Sequence, residues 1–300
     1  MSKIIVGILV LLIWGMPCIL TGFFIRDAIS LKSLSDVGFV FAIIPVAIIL
    51  FVTIAGLFSI PAQKAIIRGK FSREAKDKFF FWHKIYTICW SQVFFCKPVY
   101  FVCLKVPVLR KLLFKIFGYR GDSTNFLIDH HTWIRDLPVI SIGKNVEISS
   151  GVTLGTNVSL SAGHFLVDQI KIGKKSFIGS EAVIAPGNLL ADEVKIAKEC
   201  TLGIRCWIDQ KSSIEQGSVL SHGVIVGAEA DIGTSSYVGL KAKIGTSVKI
   251  PSGSNIPSGT IVSSSEEALE LYALQSVQLK NFVASLSYTS EQVYNEMGLS

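Results

Sequence analysis

From Ile142 to Val262 an aliphatic residue stands at every sixth position, twenty-one in succession, and no other feature constrains the fold of this 300-residue chain so tightly. The next residue is often glycine, as at Gly143, Gly155, Gly173, Gly179, Gly203, Gly227, Gly233, Gly239 and Gly245. Four residues after the aliphatic one comes Ser, Thr, Ala, Val or Cys, with exceptions only at His164, Ile170 and Asn188. A helical period of 3.6 cannot generate a strict six. Because six is even, the small residue and the aliphatic residue two places on share one side of a strand, and both point inward. Short strands of this kind, separated by glycine-assisted corners, wind into a prism around an aliphatic stack. Twenty-one hexads make about seven coils, roughly 34 Å of prism at ~4.8 Å per coil.

The chain before the repeat differs in kind. The whole sequence is 50% hydrophobic and only 17% charged, too apolar for an ordinary soluble domain. Ile4 to Ile25 is a run of 22 uncharged residues and Val37 to Gln63 one of 27, each able to cross a ~30 Å hydrocarbon core. Residues 1–63 are therefore expected to hold two transmembrane helices. A signal peptide explains the first run less well, since no small-x-small site follows it and a second span comes soon after.

The net charge of +7 has a local source. Residues 64–135 carry fourteen basic and four acidic groups, whereas 136–264 carry eleven of each. This basic, membrane-proximal block points to anionic lipid. Nucleic acid is excluded as a partner, because the cations lie among Phe, Trp, Ile and Leu with no recognition motif. Lys64, Arg68, Lys70, Arg73, Lys76, Lys78 and Lys84 follow the second span, which by the positive-inside rule places both termini in the cytoplasm. Residues 85–104, interrupted by Lys97 and Pro98, read as a re-entrant or interfacial element. Residues 109–118 read as an amphipathic helix, lying on the cytoplasmic leaflet or packed on the neighbouring domain.

After the repeat, Ser263 and Glu266 form a capping-box pattern opening a helix through about Leu286, with Leu269, Tyr272, Leu279 and Phe282 as packing residues. This C-terminal helical cap, within 265–300, would cover the open end of the prism. A short helix near 290–297 follows. The six cysteines fit neither a disulfide framework nor a metal site, as four lie in or near the membrane segments and Cys200 and Cys206 occupy small-residue positions of the repeat.

The hexads over 136–264 resemble the hexapeptide-repeat acyltransferases, and in particular membrane-tethered members of that family. The resemblance implies an all-β left-handed parallel β-helix that works as a homotrimer. "AGHFLVDQIKIGKKSFIGSEAVIAPG" (162–187) is similar to the family's histidine-bearing loop and the run after it. By that resemblance His164 is a general base, removing a proton from an acceptor as it attacks the thioester of acetyl-CoA or another acyl-CoA, and Asp168 orients its imidazole. An imidazole inside the aliphatic stack would be desolvated and unsatisfied, so the chain is expected to leave the prism around His164. Lys174, Lys175, Lys241 and Lys243 are candidate partners for the CoA phosphates, each competing with the plainer role of a solvated surface charge.

His222 occupies an outward position and reads as a solvated histidine. His130 and His131 precede the repeat, and His83 has no visible partner. The related carbonic anhydrases need three zinc histidines and no such set accompanies His164, so no metal is expected. The resemblance implies an acceptor that is a glycan, a lipid-linked molecule or a peptide-derived group, reached at the cytoplasmic face of what is expected to be a bacterial inner membrane. A non-catalytic β-helix scaffold of a membrane assembly is the competing reading.

Overall fold

The computed structural model describes residues 3–26, 34–74, 77–161 and 163–278. Helices α1 (Lys3–Arg26) and α2 (Leu34–Gln63) come first, and Ile4–Phe23 and Ile43–Gln63 within them are each long and apolar enough to span a membrane. A short strand β1 (Gly69–Ser72) follows, then helices α3 (Lys78–Phe95), α4 (Lys97–Lys105) and α5 (Pro107–Ile116). Helices α3 and α4 meet at 83° around Cys96, where Pro98 cannot donate a backbone hydrogen bond and so opens a new helix instead of extending the old one. A pair bent in this way fits a broken span as well as the re-entrant element read from the sequence.

Helix α3 is the wall between the apolar helices and the β domain. On one side Trp14 Nε1 donates to Gln92 Oε1 at 2.9 Å. On the other, Trp90 Nε1 donates to the Ile134 carbonyl at 2.6 Å, and the Tyr86 hydroxyl donates to the Phe117 carbonyl while accepting from Leu137 N–H. Tyr86 and Trp90 are fully buried, so each polar tip needs the partner it has. Helix α5 also faces the β domain: Arg110 is buried, and its guanidinium donates to the carbonyls of Thr124 and Phe126. Between the two positions considered for this helix, packing against the neighbouring domain is the one observed.

The β domain is a three-sided parallel β-helix with seven strands on each face. Face I begins with β2 (Phe126–Ile128) and β5 (Val146–Ile148), face II with β3 (Trp133–Ile134) and β6 (Thr153–Leu154), and face III with β4 (Ile140–Ile142) and β9 (Ile170–Ile172). The prism thus starts at Phe126, ten residues before the repeat unit expected from the hexads. Between β6 and β9 the chain leaves the prism as an antiparallel hairpin, β7 (Asn157–Ser161) and β8 (His164–Val167), and β1 joins it as a third strand with Ser72 opposite His164. Leu160 and Leu166 therefore keep the six-residue phase without entering the stack. Ile128 and Ile134 supply the two missing layers, which is why the count of seven coils still holds.

The corners differ from expectation. The residue with a left-handed φ lies three after the aliphatic one, and it is as often charged as glycine: Lys175, Glu181, Glu193, Arg205 and Lys241 have φ between 56 and 62°, against Gly187, Gly217 and Gly223. The glycine directly after the aliphatic residue serves another purpose. A Cβ on Gly173 would lie 2.3 Å from the Ala191 carbonyl carbon, and one on Gly143 2.7 Å from that of Gly173. These glycines let successive coils approach.

At the far end, a helix α6 over 265–278 covers the last coil. Ser265 Oγ accepts from Lys249 N–H and Gln275 Oε1 from Asn255 N–H, satisfying donors on the outermost strands, the exposure that makes an open edge a liability. The capping box sits one residue later than expected: Ser264 Oγ accepts from Glu267 N–H, and Glu267 reaches back to Ser263 N–H. Ala268 and Leu271 pack inward, whereas Leu269 and Tyr272 are exposed. Leu279, Phe282 and the short helix near 290–297 lie outside the described residues.

Candidate active site

The hairpin leaves the prism at the corner between faces II and III, the corner that Ile204, Arg205, His222, Gly223, Leu240 and Lys241 continue down the prism. Alternation along β8 divides its side chains. Phe165 and Val167 point to one side, where Phe165 packs on Phe71, Phe80 and His83. His164 and Leu166 take the other side. Leu166 lines a groove of about 470 Å³ together with Leu160, Lys70 and the corner residues. His164 is exposed, as expected, and makes no side-chain hydrogen bond or ion pair among the described residues. It is not among the residues that line the groove, and its imidazole is exposed two residues before Leu166, which does line it.

Asp168 does not orient it. The carboxylate is buried and accepts from Arg68 Nε at 2.6 Å, from Arg205 Nε at 2.9 Å and from Gln169 N–H. Burial alone would raise its pKa, but the Arg205 and Gln169 hydrogen bonds and the contact and charge of Arg68 outweigh that, and hold it below the usual carboxylate range. Arg68 belongs to the segment after α2 and Arg205 to the prism corner, so Asp168 ties three parts of the chain together at the root of the hairpin. Its proximity to His164 in sequence is a consequence of the hairpin, and its role is to fix where that hairpin stands.

Of the four lysines considered for CoA, Lys241 alone lines the groove. Lys243 stands one residue pair on, at the start of its strand on face III. Lys174 and Lys175 lie at the corner between faces III and I, a different edge of the prism, where Lys175 pairs with Glu193 at 3.3 Å. His222, read from sequence as a solvated residue, is exposed but pinned: Ile204 N–H donates to its Nδ1 at 2.9 Å. In the neutral ring the proton then resides on Nε2, which makes His222 a hydrogen-bond donor beside the groove. Only its outward position was legible, because the partner sits one coil away, eighteen residues back.

Sequence reasoning also missed a second histidine site. His83 on α3 lies with Nε2 3.1 Å from Asp136 Oδ1, and Asp136 is fully buried while its Oδ2 accepts from Thr156 Oγ1 and Asn157 Nδ2, both at 2.6 Å. Burial would raise the Asp136 pKa, yet the charge and hydrogen bond of His83 with the two further donors hold it low. Fifty-three residues separate the pair, and no motif marks either. Asp129, His130 and His131 also bring ligand-type atoms within 4.8 Å of one another at the first turn of the prism. There Asp129 caps the His131 N–H at 2.8 Å.

A family model described as the hexapeptide repeat of succinyl-transferase matches residues 141–167, the stretch from β4 through the hairpin that bears His164. The chain carries the hexapeptide repeat. No curated protein matches it. Among solved structures, this hexapeptide-repeat chain is similar to a GDP-perosamine N-acetyl transferase variant from Caulobacter crescentus in complex with CoA and GDP-perosamine, at 18% identity over 48% of this chain and 60% of that one, with a TM-score of 0.26. It is similar also to a UDP-N-acetylglucosamine acyltransferase from Campylobacter jejuni, at 16% identity over 47% and 70% with a TM-score of 0.27. A third is an N-acyltransferase from Bacillus cereus in complex with dTDP and 3-hydroxybutyryl-CoA, at 17% over 58% and 96% with a TM-score of 0.22. The hexapeptide-repeat chain thus spans three fifths of the length of the first of these.

Proposed function

We propose that the chain is an acyl-CoA-dependent acyltransferase, with acetyl-CoA as the first donor to consider, acting at the cytoplasmic face of the membrane on a glycan, lipid-linked or peptide-derived acceptor. The observation that carries this reading is the hairpin itself. A prism that served only as a scaffold would gain nothing by breaking its coil for a hairpin that lines a groove with Leu160 and Leu166 and exposes an imidazole with no side-chain partner among the described residues. In this reading the neutral His164 ring accepts a proton from the acceptor hydroxyl or amine as that atom attacks the thioester carbonyl. The tetrahedral oxyanion collapses, the carbon–sulfur bond breaks, and the proton passes to the departing thiolate to give CoA. His222, with its proton fixed on Nε2, is placed to donate a hydrogen bond in the groove, and Lys241 to meet a phosphate.

The outer faces support a shared groove. Face III turns Trp207, Ile225 and Ile261 outward and face II turns Val183, Val219 and Tyr237 outward, all exposed, and these two faces meet at the groove corner. Face I presents Glu147, Lys195, Ser213, Asp231 and Lys249 beside the exposed Leu127 and Phe177. Exposed apolar side chains on both faces that flank one corner suit a cyclic assembly in which each groove is closed by a neighbouring copy, with a trimer as the first assembly to test. Calorimetric titration of CoA into the purified full chain tests the donor half of the proposal. CoA should bind the wild type, and Lys241→Ala should weaken it a few-fold, as fits one partly solvated ion pair. Absence of CoA binding by a folded protein favours the scaffold.

A further inference from the structure

The side of the hairpin turned away from the groove covers a second cavity, of about 370 Å³, between α3 and the first coils of the prism. That volume is in the ~300–1,000 Å³ range of small-molecule sites. Three cations line it: Arg73 from the segment after β1, Lys84 from α3 and Arg135 from the start of the prism. Neutral oxygens hold the two guanidiniums, Ser159 Oγ for Arg73 and Asn157 Oδ1, at 2.7 Å, for Arg135. Among the described residues no carboxylate comes within ion-pair distance of Arg73, Lys84 or Arg135. Asp136 is buried beside His83, and its oxygens already serve His83, Thr156 and Asn157. Three positive charges thus converge on one cavity with nothing of opposite sign to meet them.

The rest of the lining is Phe80, Trp133 and Phe165 with His83, Thr87 and Asn157. Its outer wall is α3, which packs directly on α1 and α2, the two helices apolar enough to span a membrane. The cavity thus lies across one helix from the candidate spans, and cations set among aromatic rings at that depth match an anionic amphiphile more closely than a free anion.

We propose that this cavity binds the phosphoryl head group of a membrane lipid, with Arg73, Lys84 and Arg135 around the phosphate, His83 at its floor in the orientation Asp136 imposes, and the start of the hydrocarbon against Phe80, Trp133 and Phe165. His83 thereby acquires a ligand-facing role and Asp136 a positioning one. The site stands whether or not the groove on the other side of the hairpin transfers acyl groups, and it is tested by binding alone.

The experiment is native mass spectrometry of the full chain in neutral detergent, titrated with dioctanoyl phosphatidic acid, with dioctanoyl phosphatidylcholine, and with inorganic phosphate. Phosphatidic acid should bind preferentially, and phosphate should neither bind comparably nor displace it at equal concentration. Lys84→Gln and Arg135→Gln should each weaken phosphatidic acid binding about fivefold, the worth of one cation near an anionic head group, while Lys249→Gln on face I changes nothing. Arg135 also supports Asn157, so Lys84→Gln, whose side chain lies over the Phe80 ring with no hydrogen bond or ion pair among the described residues, decides the matter if the arginine variant does not fold. Equal binding of the two lipids, full competition by phosphate, or wild-type affinity in Lys84→Gln would each overturn the proposal.

Discussion

His164 and Asp168 stand four residues apart and answer to different demands. His164 is exposed at the start of β8 with no side-chain partner among the described residues, so its removal costs the fold little; His164→Ala should leave the melting profile and CoA affinity nearly unchanged while lowering turnover roughly 10²–10⁴-fold, the usual worth of a positioned base. Asp168 is a buried carboxylate between two arginines, and Asp168→Asn should loosen the hairpin by about 1–3 kcal/mol through loss of charge-assisted hydrogen bonds. The sign of the pH effect follows from its depressed pKa: its contribution is fully present above the unfolded carboxylate value near 4 and is lost as pH falls through the lower folded value. The protection factors of the β8 amides, their intrinsic over observed exchange rates, should therefore be constant from neutral pH down to about 5 and fall only in stronger acid. In Asp168→Asn that acid step should be gone.

At the level of elements, the hexad shows how much a period can and cannot convey. The aliphatic residue of each prism hexad is buried, and the small residues before them, such as Ala182, Cys200, Ser212 and Ala230, are buried too, as the even spacing requires. Asn188, one of the exceptions, stays inside because its amide donates to the Ala185 and Gly203 carbonyls. What the period could not reveal is the insertion of two full hexads' length at β7–β8, since Leu160 and Leu166 fall in phase by coincidence; the misplaced imidazole was the only clue. Nor could it separate the two uses of glycine, close approach and left-handed φ, which only the neighbouring coil distinguishes. The His83–Asp136 contact, the His222 pin and the Asp168 staple were illegible for the same reason: each joins residues whose adjacency is created by winding. The glycine assignment gives a direct check. Gly173→Ala must push backbone apart and should lower stability by about 1–3 kcal/mol as overpacking does. Gly253→Ala, where the space is open but φ is 73°, should cost about 1–2 kcal/mol from conformation alone. Thermal unfolding of both in detergent compares them, and a neutral Gly173→Ala contradicts the close-approach role.

For the whole molecule, the apolar helices, α3 and the prism share one continuous core, so the hairpin, the groove and the cavity behind it are held at a set place relative to the two candidate spans. If faces II and III meet neighbouring copies, the detergent-purified chain should be a trimer by light scattering, and Trp207→Glu on face III should shift it toward monomer and weaken CoA binding together. A monomer with full CoA affinity would contradict a groove closed by a second copy. The central claim, acyl transfer driven by His164, is tested most directly by label transfer. Membranes containing the wild-type chain or His164→Ala are incubated with acetyl-CoA labelled in the acetyl group, and with longer acyl-CoAs in parallel, and the extracted products are counted and separated. The account predicts a labelled product that depends on the wild-type chain and falls roughly 10²–10⁴-fold with His164→Ala; equal labelling by the two proteins, or none from any acyl-CoA while the prism is folded, would contradict it.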